Sequence, residues 1–129
     1  MAIISRENVD GRAPEGPERR RSLRLLVAED SEDDTLLLVR ALRRAGFEPR
    51  YRRVDYPLAL CNALDEAEWD LIITDYNMPQ FSPDDVLRAV HERDLDMPII
   101  LVSAHLADAR AADAMKAGIN DYVLKDNLS

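Results

Sequence analysis

A small set of polar residues interrupts the apolar segments of this chain, each directly after such a segment. The set consists of Glu29, Asp30, Asp75, Ser103 and Lys125. Taken singly, each has an ordinary explanation, because acids and serines cap helices and a lysine commonly lies at the surface. Their recurrence after four successive apolar segments indicates instead that they meet at one site.

The residue types in this set suit phosphoryl chemistry supported by a metal ion. Three carboxylates held together raise each other's pKa unless a cation intervenes. Mg²⁺ is the natural candidate, since it prefers oxygen ligands and is commonly held by one or two carboxylates and a phosphate oxygen. Two histidines and one cysteine supply no zinc cluster. One carboxylate could then attack a phosphoryl group, while Lys125 and Ser103 stabilise its oxygens.

The apolar segments themselves are typical of strands in a parallel sheet. Residues 25–28, 71–74 and 99–102 are almost continuously apolar, and residues 122–124 form a shorter segment of the same kind. Such segments predict strands that are covered on both faces. Residues 50–54 are also strand-like, but their arginines favour an edge position.

Amphipathic stretches alternate with these segments and predict crossover helices. The first begins at the acids 32–34 and stops at Gly46, and the second covers residues 57–64. The third runs from Ser82 to residue 90, and the fourth from about residue 107 to Gly118. The alternation predicts an α/β fold with a doubly wound parallel sheet. Because the carboxyl ends of parallel strands share one edge, the polar residues should converge there.

Composition predicts one folded domain in 129 residues. Residues 1–22 are rich in Arg, Glu, Gly and Pro and predict a disordered arm, which leaves residues 23–129 as the domain. The arm holds five arginines and four acids, so the domain has 12 basic and 21 acidic residues and a net charge of −9. This charge disfavours nucleic-acid binding. A single cysteine and the lack of a long apolar run predict a cytoplasmic protein without disulfides or membrane spans.

Four short segments together resemble the receiver domain of response regulators in two-component signalling. They are Val-Ala-Glu-Asp at 27–30, Thr-Asp-Tyr-Asn-Met-Pro at 74–79, Val-Ser-Ala at 102–104 and Asp-Tyr-Val-Leu-Lys at 121–125. The resemblance covers residues 23–128 and implies five strands in the order 2-1-3-4-5. It also implies that a histidine kinase or a histidine phosphotransfer protein donates the phosphoryl group, and that the chain switches a partner or an output module.

The resemblance assigns the acceptor and the metal site. Asp75 corresponds to the residue that accepts the phosphoryl group. Glu29 and Asp30 correspond to the acids that hold Mg²⁺ together with Asp75, and Asn77 to the residue that contributes a backbone carbonyl. The only reaction implied is phosphorylation and dephosphorylation of the chain's own aspartate, so we expect a signalling switch and not a conventional enzyme.

The resemblance also assigns the residues that respond to phosphorylation. Ser103 and Lys125 match the pair that contacts the phosphoryl oxygens, and the backbone amide of Ala104 should face the same group. Tyr122, three residues before Lys125, matches the aromatic switch position. His105 and Asn77 lie at positions where the family varies the lifetime of the phosphorylated state.

Two features at the end of the chain depart from the family pattern. Asp126 follows Lys125 where the family usually has proline, so we predict a trans peptide bond there. The chain ends at Ser129, where the fifth helix of the family should begin, so that helix is expected to be absent or truncated. We expect exposed apolar surface on that flank, suited to a homodimer, and an output module beyond the C-terminus.

Two other functional classes remain as alternatives. A phosphatase of the haloacid-dehalogenase type also uses an aspartate and Mg²⁺, but Asp30 lacks the second aspartate expected two residues later. Turnover of a free phosphate ester would favour it. A pseudo-receiver that only binds partners would fail to take up Mg²⁺ or phosphate. A nucleotide hydrolase is excluded, because the four glycines form no phosphate-binding loop.

Overall fold

The computed structural model describes residues 20–80, 82–104 and 109–128. The five strands are β1 (Arg21–Ala28), β2 (Phe47–Val54), β3 (Leu71–Asp75), β4 (Ile99–Ser103) and β5 (Asp121–Leu124). The four α-helices of the described chain are α1 (Glu32–Arg44), α2 (Pro57–Glu66), α3 (Pro83–Glu92) and α4 (Ala109–Ala117). A 3₁₀ turn, Lys125–Leu128, follows β5.

The strands form one sheet in the order β2-β1-β3-β4-β5, with every neighbouring pair parallel. This confirms the predicted fold class and strand order, and it places the arginine-rich β2 at an edge. The chain runs from β1 outward to β2 and then crosses back to β3. The direction of winding therefore reverses beside β1, which is where parallel sheets of this kind form a crevice at their carboxyl edge.

The central part of the sheet is buried on both faces, as its apolar strands predicted. Leu26 and Ile72 point to the face that packs against α2 and α3. Leu25 and Ile73, their neighbours in the chain, point to the opposite face and pack with α1. Because side chains alternate along a strand, a strand between two helical layers must be apolar at consecutive positions.

The ends of the helices follow the local sequence. Ser31 caps α1, its Oγ accepting a hydrogen bond from the Asp34 amide at 3.1 Å. Pro83 occupies the first turn of α3, after the cap residue Ser82. Gly46 and Gly118 follow α1 and α4 with φ of 98° and 127°, values that residues with a side chain rarely adopt.

One predicted boundary near the start of the chain requires correction. β1 begins at Arg21, so Arg21 and Ser22 belong to the sheet and not to the predicted arm, because they pair with Phe47 and Glu48 of β2. The remainder of the arm, residues 1–19, lies outside the described residues, as do residues 107 and 108 of the fourth predicted helix.

The sheet residues on the flank where exposed apolar surface was expected are buried in the described structure. Ile100, Val102, Val123 and Leu128 on that face are all buried and share a cluster with Leu38 of α1. The last 3₁₀ turn folds back far enough for Leu128 to join this cluster. No described peptide bond is cis, in agreement with the trans bond predicted before Asp126.

Candidate functional site at the carboxyl edge of the sheet

The carboxylates singled out in the sequence meet where β1 and β3 end. Glu29 and Asp30 directly follow β1, and Asp75 is the last residue of β3. These strands are hydrogen-bonded neighbours in parallel register, with Ala28 beside Thr74. One carboxylate oxygen from each of the three residues therefore lies within 4.8 Å of the others.

The three acids differ in burial and in hydrogen bonding. Glu29 is 0% exposed and Asp75 is 3% exposed, whereas Asp30 is open to solvent. The backbone amide of Ser31 donates to Glu29 Oε1 at 3.1 Å. The Asn77 amide lies 3.3 Å from Asp75 Oδ1 and donates to it. The loops after β1 and β3 thus orient the two buried carboxylates.

Lys125 provides the positive charge at this edge. Its Nζ donates to Asp34 Oδ2 at 2.7 Å and to Asp75 Oδ2 at 3.2 Å, and it lies 3.1 Å from Glu29 Oε2. The lysine side chain is 15% exposed. A single ammonium group therefore faces three carboxylates from three different parts of the chain.

Burial and crowding alter the pKa of two of these groups. Burial, together with the nearby charge of Asp75, raises the pKa of Glu29 to about 7, although Lys125 opposes the shift. Burial disfavours the charged form of Lys125, but its hydrogen bond to Asp34 and its contacts with Glu29 and Asp75 outweigh that effect. The pKa of Lys125 consequently lies above its usual value, and the ammonium stays charged.

The donor set fits a divalent cation that prefers oxygen. Glu29 Oε2 is buried and receives no hydrogen bond from the described residues, even though the Lys125 ammonium lies close to it. Buried polar atoms normally have a partner, so an unsatisfied carboxylate oxygen next to two further acids points to a cation. Mg²⁺ matches the mixture of two buried carboxylates and the exposed Asp30, since it keeps several waters.

The other predicted residues that the structure describes occupy β4, β5 and the loops after β3 and β4. Ser103 is the last residue of β4 and is 4% exposed, and Ala104 follows it in an exposed bend. Tyr122 of β5 is half-buried and packs against the core on the side of α2 and α3. Its neighbour in register on β4 is Leu101. Asn77 is exposed in the loop after β3, and His105 lies outside the described residues.

The sequence reasoning missed Asp34. Its place in the first turn of α1 was explained by the favourable interaction of an acid with the helix dipole. Its carboxylate instead makes the shortest of the three contacts to Lys125, a residue 91 positions further along the chain. Nothing in the local pattern separates Asp34 from Asp33, since both satisfy the same helix-start rule.

The chain is similar in sequence to known proteins. Residues 25–128 match the family described as the response regulator receiver domain. The chain is 30% identical over 106 residues to the chemotaxis protein CheY1 of Helicobacter pylori, covering 80% of this chain and 85% of that protein. It is 36% identical over 104 residues to the transcriptional regulatory protein PrrA of Mycobacterium leprae, covering 81% of this chain and 44% of PrrA.

A solved structure is similar as well. A response regulator from Hahella chejuensis superposes with a TM-score of 0.70 at 30% identity, covering 83% of each chain. The fold and the site thus define a receiver domain of two-component signalling. The chain belongs to the response regulator receiver family and is homologous to the CheY and PrrA response regulators. No helix in the described part of the chain is long and apolar enough to cross a bilayer.

Proposed function

We propose that this chain is a phosphorylation switch in which Asp75 accepts a phosphoryl group in a reaction that requires Mg²⁺. The observation that carries the proposal is the position of Asp75 at the carboxyl edge of the sheet. Its carboxylate lies beside those of Glu29 and Asp30 and accepts a hydrogen bond from the ammonium of Lys125. A nucleophilic carboxylate needs both a cation to reduce repulsion and donors for the incoming oxygens.

The metal would be held by the carboxylates of Glu29, Asp30 and Asp75, with the backbone carbonyl of Asn77 as the fourth protein ligand. When bound, Mg²⁺ supplies positive charge to the phosphoryl oxygens and lowers the repulsion between the acids. An oxygen of Asp75 forms a bond to phosphorus as the bond between phosphorus and the donor breaks. The donor group leaves with the bonding electron pair, and Asp75 becomes an acyl phosphate.

The residues around the acceptor have distinct roles in this proposal. Lys125 already contacts Asp75 and would pair with a phosphoryl oxygen. Ser103 at the end of β4 would donate its hydroxyl to another oxygen, and the backbone amide of Ala104 would face the same group. Movement of Ser103 toward the phosphoryl group would allow Tyr122 to repack, so the surface around α4 and β5 would carry the signal.

The expected partners are those that the receiver family implies. A phosphohistidine on a histidine kinase or a phosphotransfer protein would be the donor, because its phosphoryl group is transferable to a carboxylate. The relatives differ in output, since CheY1 is named for chemotaxis and PrrA for transcriptional regulation. The alignment with this chain covers only 44% of the length of PrrA. We therefore propose that the switch acts on a separate partner or on a module joined to the same protein.

Incubation with acetyl phosphate and Mg²⁺, followed by intact-mass measurement, tests the proposal. The wild type should gain one phosphoryl group, whereas Asp75→Asn and a wild-type sample containing EDTA should gain none. Asp96→Asn is the matched control, because it removes an exposed carboxylate away from the site and should be modified like the wild type. An unmodified wild type, beside a receiver that is modified under the same conditions, would favour a pseudo-receiver.

A further inference from the structure

The inference concerns Asp34, the acid on α1 that shares Lys125 with the site. The ammonium of Lys125 has three protons, and three carboxylate oxygens lie 2.7 to 3.2 Å from its nitrogen. It donates hydrogen bonds to Asp34 and Asp75 and forms an ion pair with Glu29, so three carboxylates share one ammonium group. A phosphoryl oxygen on Asp75 would have to compete with these carboxylates for Lys125.

Burial decides which contact is the easiest to give up. The side chain of Glu29 is 1% exposed and that of Asp75 is 5% exposed, whereas that of Asp34 is 33% exposed. Leaving a buried carboxylate without its partner is costly, because water cannot replace the lost contact. Asp34 can turn toward solvent, where the loss of an ion pair costs little. Asp34 is therefore the partner that should release Lys125.

The local structure holds Asp34 in place before this release. Ser31 caps α1 and accepts a hydrogen bond from the Asp34 amide. The amide of the same serine donates to Glu29 Oε1. Ser31 therefore orients both the first turn of α1 and Glu29, and the Asp34 carboxylate in that turn lies 2.7 Å from Lys125 Nζ.

We propose that Asp34 is a positioning residue that competes with the phosphoryl group for Lys125 and so favours the unphosphorylated state. This inference rests on the proposed phosphorylation of Asp75. A contact that is present in one state and lost in the other shifts the equilibrium toward the state that has it. Removal of the Asp34 carboxylate should consequently strengthen the binding of a phosphoryl group by about twofold to fivefold, the range expected for a partly exposed ion pair.

Binding of beryllofluoride, an unreactive mimic of the phosphoryl group, tests the proposal without the transfer step. The affinity is measured by titration calorimetry at saturating Mg²⁺ for the wild type, Asp34→Asn and Asp34→Ser. Both variants should bind the mimic about twofold to fivefold more tightly than the wild type. Two different neutral replacements are used so that a folding defect in one of them, seen by thermal unfolding, does not decide the result.

Asp33→Asn is the matched control, because Asp33 carries the same charge in the same helical turn and is exposed. Its affinity for the mimic should stay within roughly 1.5-fold of the wild type. Mg²⁺ binding without the mimic provides the second readout, and it should not become tighter in either Asp34 variant. A general improvement in site geometry would tighten the binding of both Mg²⁺ and the mimic. Release of Lys125 would tighten only the binding of the mimic.

Each remaining outcome contradicts the proposal in a recognisable way. Unchanged or weaker binding of the mimic by both Asp34 variants would mean that Asp34 does not compete for Lys125. An equal gain in Asp33→Asn would mean that the loss of any nearby negative charge is sufficient. If the wild type neither binds the mimic nor accepts phosphate from acetyl phosphate, the proposed function itself fails, and this inference fails with it.

Discussion

Replacement of Glu29 by glutamine should make the metal-free protein more stable at pH 8. The carboxylate of Glu29 is buried beside Asp75, and its Oε2 atom has no hydrogen bond from the described residues. Glutamine has nearly the same shape, and its carbonyl oxygen can still accept the hydrogen bond from the Ser31 amide. Lys125 retains Asp34 and Asp75 as partners. The substitution therefore removes a crowded charge and leaves most of the packing intact.

The size of the effect follows from the pKa of Glu29, which is raised from 4.5 to about 7 in the folded protein. Below pH 4.5 the carboxyl group is protonated in both the folded and the unfolded chain. As the pH rises toward 7 and beyond, the unfolded chain loses this proton first, so stability falls. The full shift corresponds to about 3 kcal/mol at pH 8. We expect Glu29→Gln to recover roughly 1–3 kcal/mol of it.

Urea unfolding in EDTA at pH 5 and pH 8 measures this effect. The wild type should lose stability between the two pH values, whereas Glu29→Gln should lose much less. Mg²⁺ should stabilise the wild type and have little effect on the variant, which lacks one ligand. Glu92→Gln is the control, because it removes an exposed carboxylate on α3. The reasoning is refuted if Glu29→Gln is less stable than the wild type at pH 8, or if the difference between them is the same at both pH values.

Three further predictions concern the framework that holds the site. Leu101→Ala should lower the free energy of unfolding by about 2–5 kcal/mol in urea titrations, because Leu101 is 0% exposed in the interior strand β4. Gly118→Ala should cost about 1–3 kcal/mol in the same assay, since φ is 127° and the new Cβ would lie 3.3 Å from Leu87. Asp70→Asn should reduce stability at pH 7 and flatten the acid side of the stability profile in thermal unfolding. Arg24 holds the pKa of Asp70 below 3.8, so the stabilisation is present above that pH and is lost as the pH falls further. Equal acid sensitivity of wild type and Asp70→Asn would contradict this last prediction.

Much of the architecture could be predicted from the sequence, because it depends on patterns that are local. A strand that lies between two helical layers needs apolar residues at consecutive positions. Residues 99–102 show this pattern, and the pattern predicted β4. Glycine at 118 was a reliable end to α4, because the backbone there requires a positive φ. The exact first residues of β1 and β2 could not be predicted from local patterns, because Arg21 and Phe47 join the sheet by pairing with each other.

The position of the candidate site was also predictable, and for a general reason. Parallel strands place their carboxyl ends at one edge, so polar residues after β1, β3, β4 and β5 had to come together. The nearness of Glu29, Asp30 and Asp75 follows from this rule alone. It holds for any chain with this strand order, whatever the details of the loops.

Only the tertiary structure decided how charge is shared at that edge. Glu29 is buried and Asp30 is exposed, although the two are adjacent in the sequence. Asp34 reaches Lys125 across 91 positions, while Asp33 beside it does not take part. Such differences depend on how α1 packs on the sheet and on the position of the final 3₁₀ turn. That turn lies close to α1, where the Arg44 side chain donates a hydrogen bond to the carbonyl of Leu128. Contacts of this kind are set by long-range packing, and local patterns of charge and hydrophobicity carry no information about them.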